Sequence, residues 1–247
     1  MEDWRVLFKA VEESDMVKRI PRRKDQSLQD YPLYTIGEAS IYLAIPESTL
    51  RYWIKRHPVW KIADPEGHLL SFRDLAQAYY LEMARKHFNL SLRKMRDVES
   101  QARRESKSDY PLLRPNISTF LNHIFMEKPA RGKQPQRMVN LTRYGQLAMP
   151  GIVKPLTTRF RWTNNTFQLF PWRLWDGTIE DKRTPVMLDP DVMSGKLVIT
   201  GTRIPVQVIA LRRAAGESVP HLAKDYRIPE SGIEFALEHL AQEKKAA

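Results

Sequence analysis

The sequence predicts an α+β fold, mainly α, in which two helical units flank a small β-rich region. Apolar residues recur at helical spacing toward both ends of the chain, as in Ile233, Ala236, Leu237 and Leu240. The region between holds many aromatic residues, several Pro, and short apolar runs bounded by turn residues. A chain of 247 residues, 42% of them hydrophobic, is long enough for about two small domains with packed cores.

Changes of composition divide the chain into four segments. These are an N-terminal arm (1–30), a helical unit with a hairpin (31–105), a basic aromatic region that links or forms an interface (106–178), and a C-terminal helical unit (179–247). The arm contains the basic run K-R-I-P-R-R-K at 18–24. We interpret this run either as a solvated linker or as an arm that contacts nucleic acid.

The first helical unit begins with two short helices. Thr35 is predicted to cap the first helix, because Glu38 follows three residues later as in a capping box. Pro46 interrupts the chain and starts the second helix, in which Leu50 and Ile54 are four residues apart and face inward. Two short helices joined by a tight turn form a helix-turn-helix pattern.

A β-hairpin and two longer helices are predicted to follow. Residues 60–62 and 68–72 have strand character and flank the turn sequence D-P-E-G at 64–67, which predicts a wing. Ser71 is predicted to cap a helix that ends near residue 86. Residues 92–104 are predicted to form the last helix of the unit.

Residues 35–104 resemble the MerR-type winged helix-turn-helix DNA-binding domain. The resemblance rests on T-I-G-E-A at 35–39 and S-T-L-R-Y-W at 48–53. It implies that the second helix enters the major groove of DNA and that Arg51 and Tyr52 anchor phosphates. It places six residues on or beside that helix: Ser48, Thr49, Arg51, Tyr52, Lys55 and Arg56. The family usually has an Arg in its wing, where this chain reads G-H-L-L, and Arg73 is the candidate that replaces it.

The middle of the chain carries most of the positive charge. The formal net charge of +11 divides into 0 for 1–30, +3 for 31–105, +9 for 106–175 and −1 for 176–247. Such asymmetry indicates a polyanion or an acidic protein as partner. Residues 137–141 and 166–170 are predicted strands, with a hairpin turn at 164–165. The aromatic residues here indicate a protein interface, a core, or a surface on which nucleic acid stacks.

The C-terminal segment is predicted to form two short strands and three helices. Pro205 is expected near the start of the first helix, Gly216 at its end, and Ser218 as the cap of the second. The last two helices again form a helix-turn-helix pattern. Residues 195–206 read G-K-L-V-I-T-G-T-R-I-P-V, which lacks the spacing of a nucleotide-binding P-loop.

That string, followed by G-E-S at 216–218, resembles a family of predicted prokaryotic antitoxins over about the last 60 residues. Members are typically encoded beside a toxin with a PIN-like ribonuclease fold, and the whole chain looks like a VapB-type antitoxin. The resemblance implies that the protein neutralises such a toxin and binds double-stranded operator DNA, which represses its own operon. A homodimer is expected, because helix-turn-helix proteins commonly read two half-sites.

The PIN-like active site suggests which residues inhibit the toxin. Such sites are carboxylate clusters that hold a divalent metal, so an inserted Arg competes with the metal. The candidate toxin contacts are Arg131, Arg137, Arg143 and Arg203. Two residues of the C-terminal string also have a structural interpretation. In it, the Arg203 guanidinium binds backbone carbonyls and holds the turn together, and Gly201 is needed only because of the backbone conformation at its position.

The sequence favours neither catalysis nor metal binding. There is no Cys, the six His lack metal-site spacing, and no G-x-S-x-G string occurs. We therefore expect no enzyme and no cofactor, with His221 and His239 at ordinary surface positions. The acidic N-terminus and the lack of a long apolar run predict a cytoplasmic protein without a signal peptide.

Two other functions remain compatible with the sequence. One is a stand-alone DNA-binding transcriptional regulator with no toxin partner. The other is an RNA-binding or scaffold protein that uses the basic middle region.

Overall fold

A computed structural model describes most of the chain between residues 27 and 241. The described ranges are 27–56, 59–60, 62–64, 69–114, 116–120, 123–128, 130, 137–143, 146–148, 154–155, 159–163, 166–171 and 185–241. Four sequence predictions lie outside these residues: the basic run of the N-terminal arm, most of the wing turn at 64–67, the hairpin turn at 164–165, and the candidate toxin contact Arg131.

The first helical unit forms a compact group of helices around one short sheet. Its elements are β1 (Pro32–Thr35), α1 (Ile36–Leu43), α2 (Glu47–Arg51) with its π-helical continuation (Tyr52–Arg56), β2 (Leu69–Ser71), α3 (Phe72–Phe88) and α4 (Leu92–Ser106).

Polar side chains cap the N-termini of α1 and α3, as the sequence predicted. The Glu38 amide donates to Thr35 Oγ1 (3.1 Å) and the Thr35 amide donates to Glu38 Oε2 (2.9 Å), which completes the capping box. The Asp74 amide donates to Ser71 Oγ (3.1 Å) in the same way at α3. Leu50 is buried, which confirms its predicted inward direction.

The predicted wing is wrong in its first strand. β2 pairs antiparallel with β1, and the described residues between the π-helical turn and β2 form no strand. Two buried carboxylates explain why the described residues before β2 form no strand. Asp64 accepts from the Leu69 amide (2.9 Å), and Asp74 accepts from Trp60 Nε1 (3.0 Å) and the Ala63 amide (3.1 Å). Carboxylates therefore satisfy backbone and side-chain donors in this segment.

The middle region forms a five-stranded antiparallel sheet and a separate hairpin, which confirms its predicted β-rich character. The sheet has the order β6-β5-β4-β3-β7, and the hairpin pairs β8 with β9. The strands are β3 (Ile117–Phe120), β4 (His123–Lys128), β5 (Arg137–Asn140), β6 (Gln146–Ala148), β7 (Lys154–Pro155), β8 (Phe160–Thr163) and β9 (Thr166–Leu169).

Aromatic residues of the hairpin belong to the core. The Phe167 ring lies 5.0 Å from the Phe72 ring of α3, and the Phe160 ring lies 6.3 Å from the ring of Tyr79. Phe160 and Phe167 are both buried. Core packing is therefore the correct interpretation for these two residues.

The C-terminal unit matches its predicted order of two strands and three helices. It consists of β10 (Val186–Met187), β11 (Val198–Ile199), α5 (Val206–Ala214), α6 (Val219–Tyr226) and α7 (Glu230–Ala241). Pro205 occupies the N-cap of α5, so the helix begins one position after Pro205, and Gly216 follows its end with φ +98°. Ser218 caps α6 by accepting from the His221 amide (3.3 Å).

One contiguous hydrophobic cluster extends from Tyr34 to Leu240 and includes side chains of all three regions. The fold is α+β and mainly α, as predicted. The boundaries of the four segments stay a prediction.

Candidate nucleic-acid interface

The second helix of the N-terminal pair has one exposed and one buried face. Ser48, Arg51, Tyr52 and Lys55 are exposed and follow one another at helical spacing i, i+3, i+4 and i+7. The buried face holds the side chains that attach the helix to the core: Leu50, Trp53 and Ile54. Thr49 is half-buried beside the exposed row, and the Arg56 side chain lies outside the described part of the chain.

The helix changes geometry in the middle of this exposed row. α2 is an α-helix up to Arg51 and continues as a π-helical turn from Tyr52. Single π-helical turns occur frequently at functional sites. Tyr52 is 41% exposed. The wider turn therefore presents a large aromatic side chain to solvent, next to two cations of the same face.

Arg51 has a partner on its own helix. Its Nε donates to Glu47 Oε1 at 2.7 Å, and both side chains are about half exposed. Exposed ion pairs contribute little to stability, typically about 0–1 kcal/mol. Arg51 can therefore exchange Glu47 for an external anion at low cost.

Arg85 of α3 lies beside this helix, and the sequence patterns did not reveal it. Its guanidinium carbon lies 5.3 Å from the centre of the Trp53 ring, in cation–π geometry. Helical periodicity places Arg85 on α3, but no local pattern relates it to Trp53, 32 positions earlier.

Arg73, the candidate that replaces the wing Arg, has partners at the start of α3. Its Nε lies 2.8 Å from Asp30 Oδ1, and its guanidinium lies 5.5 Å from the centre of the Tyr110 ring. Its backbone amide donates to the Gln29 carbonyl (3.1 Å). The side chain connects the start of α3 to neighbouring segments, and its DNA contact stays a prediction.

Of the four candidate toxin contacts, the three within the described residues lie on different elements. Arg137 is exposed at the start of β5, and Arg143 is exposed at the end of the 3-10 turn Leu141–Arg143. Arg203 is exposed between β11 and α5, and Arg131 lies outside the described residues.

The loop that carries Arg203 is held by other residues. Thr202 Oγ1 donates to the Ile199 carbonyl (2.8 Å) and accepts from the Ile204 amide (3.1 Å). Within the described residues, Arg203 makes no hydrogen bond that would tie carbonyls together. Gly201 has φ +79°, and a Cβ added there would have no atom within 4 Å, so its requirement is conformational, as predicted.

Tyr42 joins the first helix of the pair to the C-terminal unit. Its hydroxyl accepts from Gln207 Nε2 (2.8 Å), and its carbonyl accepts from His239 Nε2 (2.8 Å). Burial raises the pKa of the Tyr42 hydroxyl, so the side chain is neutral. His239 is fully buried, which makes its predicted surface position wrong. Because a carbonyl only accepts, His239 carries a proton on Nε2.

The described residues offer no arrangement of three or more His, Asp or Glu side chains suited to holding a metal ion. Among the helices described, none combines the length and apolar composition needed to cross a lipid bilayer.

The chain is thus a mixed, mainly helical protein with an exposed helix face near its N-terminus and a compact helical unit at its C-terminus. Residues 186–239 match the family model described as "Protein of unknown function (DUF433)". This span contains the whole string at 195–206 and all but the last two residues of the three C-terminal helices. The C-terminal signature therefore lies within the part of the chain that matches this family model.

One solved structure shows the same general fold. It is the X-ray crystal structure of Rv2018 from Mycobacterium tuberculosis, with a TM-score of 0.58, 18% sequence identity, and coverage of 85% of this chain and 100% of that chain. At this identity the likeness concerns the fold alone. No curated protein matches the chain.

Proposed function

We propose that this protein is a DNA-binding antitoxin of the VapB type. It binds operator DNA to repress its own operon and neutralises a PIN-like ribonuclease toxin. The observation that carries the DNA-binding half is the exposed row of Ser48, Arg51, Tyr52 and Lys55 on a helix whose opposite face is anchored in the core. The MerR-like sequence of residues 35–104 supports the same role.

The exposed row has the composition that a major-groove helix needs. Arg51 and Lys55 supply positive charge for phosphates, and Ser48 supplies a hydroxyl at the start of the same exposed row. Tyr52 adds an aromatic surface with a hydrogen-bonding tip. A second copy of the chain places the same row on a second half-site.

The toxin-binding half rests on the C-terminal signature and on Arg203. An exposed Arg beside apolar residues has the composition of an interface hot spot. Val208 and Leu211 of α5 lie exposed shortly after Arg203 in the chain. We propose that Arg203 enters the carboxylate cluster of the toxin while this face of α5 packs against it.

DNA binding is tested with a duplex from the region upstream of the protein's own gene. We expect the variant Arg51→Ala/Lys55→Ala to bind at least about tenfold more weakly, with a salt-dependence slope smaller by about 2. Lys196→Ala/Lys224→Ala removes two other exposed cations and is the matched control, with wild-type binding expected. Equal binding by both variants would place the DNA interface elsewhere.

Toxin binding is tested by co-expression with a PIN-like ribonuclease encoded next to the gene. Wild type is expected to co-purify with it and to restore growth, whereas Arg203→Glu loses both effects and keeps DNA binding. Lys224→Glu makes the same charge change on α6 and should behave as wild type. Failure of the wild type to co-purify would leave the stand-alone regulator as the better description.

A further inference from the structure

A second group of basic residues begins in α3, which contacts the π-helical continuation of α2. Between Glu82 and Asp97 the chain has five basic residues and no acidic one: Arg85, Lys86, Arg93, Lys94 and Arg96. Between Glu127 and Asp176 there is also no acidic residue. The elements that carry these two stretches contact each other, because α4 packs against the 3-10 turn Leu141–Arg143.

Two contacts relate these basic residues to α2 and to the central sheet. The first is between α3 and the π-helical turn. Arg85 lies over the ring of Trp53 at 5.3 Å, and Trp53 is flanked in sequence by the exposed Tyr52. The last turn of α3 is therefore adjacent to the proposed DNA-reading helix. α4 begins at Leu92, four residues after α3 ends at Phe88.

The second contact joins α4 to the central region. α4 packs against the 3-10 turn Leu141–Arg143, and this turn packs against β4, which begins at His123. Desolvation lowers the pKa of His123, and the positive charges of Arg143 and Lys94 lower it further. Both cations therefore act on one imidazole, although they come from a 3-10 turn and a helix. Arg93, on the same first turn of α4 as Lys94, is exposed.

Hydrogen bonds hold Arg143 in this position. Asn140 Oδ1 accepts from the Arg143 amide (3.1 Å) and from both the amide (3.0 Å) and the hydroxyl (2.6 Å) of Thr142. The Thr142 hydroxyl also lies 2.8 Å from His123 Nδ1. The turn is thus fixed by a buried side chain, while the Arg143 side chain is exposed.

We propose that Arg93, Lys94 and Arg143 form a flanking phosphate surface, which binds the backbone of operator DNA beside the segment that α2 reads. The inference rests on the proposed DNA-binding function. It reassigns Arg143 from the toxin to the DNA.

DNA fits this surface better than a toxin active site does. The cations come from separate elements and extend from the DNA-reading helix, through Arg85, toward the central sheet. A duplex presents a negative charge about every 1.7 Å along its axis and therefore matches an extended basic surface. A compact carboxylate cluster requires a single inserted cation instead.

The test uses Lys94→Ala/Arg143→Ala and two duplexes, one limited to the operator core and one with flanking base pairs. On the long duplex we expect affinity to fall about tenfold at about 0.15 M salt and the salt slope to fall by about 2. On the core duplex, affinity should equal that of wild type, because the flanking phosphates are missing. Arg104→Ala/Lys107→Ala, at the other end of α4, is the control and should leave both duplexes unaffected.

A second readout follows His123 by NMR. Phosphate bound between Lys94 and Arg143 should raise the pKa of His123 when the long duplex is added, and not when the core duplex is added.

The inference and the proposed function fail in different ways. Wild-type binding of the long duplex by Lys94→Ala/Arg143→Ala, with binding still lost in Arg51→Ala/Lys55→Ala, would overturn the flanking surface alone. Loss of toxin co-purification without loss of DNA affinity would also overturn it and return Arg143 to the toxin. If wild type bound neither duplex, the proposed function would be contradicted.

Discussion

At the scale of the residue, Gly195 and Tyr34 show how closely the N-terminal and C-terminal helical units approach each other. Gly195 has φ +78°, and a Cβ at this position would lie 2.1 Å from the Tyr34 hydroxyl oxygen. Gly201 has nearly the same φ but open space around it. Two glycines of one sequence motif are therefore required for different reasons, one for close approach and one for conformation.

We expect Gly195→Ala to cost about 2–4 kcal/mol in the free energy of unfolding, because it adds a steric overlap to backbone strain. Gly201→Ala should cost only about 1–2 kcal/mol. Urea denaturation measures both. Tyr34→Phe removes the clashing oxygen, so it should recover part of the loss in Gly195→Ala. Equal costs for the two glycine variants would contradict the packing described.

The local sequence predicts the structural role of some residues and not of others. Thr35 and Ser71 were predicted correctly as caps, because a capping box involves residues only three positions apart. His239 was placed wrongly, because its burial depends on Tyr42, almost 200 positions earlier. Helical periodicity alone did not identify the contact that its ring makes across the core.

At the scale of the element, the segment between α2 and α3 shows a competition between strand pairing and buried carboxylates. The sequence of 60–72 has strand character and a Pro-Gly turn, which favoured a hairpin. Asp64 and Asp74 instead bind donors of this segment, and β2 pairs with β1. Turn residues and β-propensity do not reveal a carboxylate that becomes buried through tertiary packing.

Asp74 gives this element a dependence on pH. Burial raises its pKa above the ordinary value of 3.8, although hydrogen bonds from Ser71, Ala63 and Trp60 act in the opposite direction. A carboxyl group with a higher pKa in the folded state binds its proton more tightly there, so its contribution to stability is lost as pH rises through the folded pKa.

Asp74→Asn removes this titration and retains a similar shape. We expect the free energy of unfolding of wild type minus that of Asp74→Asn to decrease as pH rises from just below the ordinary pKa of 3.8 toward neutrality. Denaturation in urea at a series of pH values measures this difference. An increase with pH would mean that hydrogen bonding outweighs burial at this carboxyl group.

At the scale of the whole molecule, the C-terminal unit and the helix pair share one core through α1. Every residue of α1 except Gly37 is buried. This burial has a signal in the sequence, since the helix lacks a broad polar face. What covers it could not be predicted, because Gln207 and His239 come from a segment more than 160 positions away.

Tyr42→Phe tests this junction. It leaves the Gln207 amide buried without its acceptor, which should cost about 1–3 kcal/mol in the free energy of unfolding. Tyr52→Phe makes the same change at an exposed tyrosine and should cost less than about 0.5 kcal/mol. Chemical denaturation of both variants gives the comparison. Equal stabilities would show that the Tyr42–Gln207 hydrogen bond does not contribute to the junction.

The most direct test of the proposed function is hydrogen–deuterium exchange of the full chain with and without operator DNA. The account predicts that the duplex slows exchange in residues 47–56, and that flanking base pairs extend this protection into residues 85–96. Unchanged exchange in 47–56, together with new protection elsewhere in the chain, would contradict DNA recognition by α2.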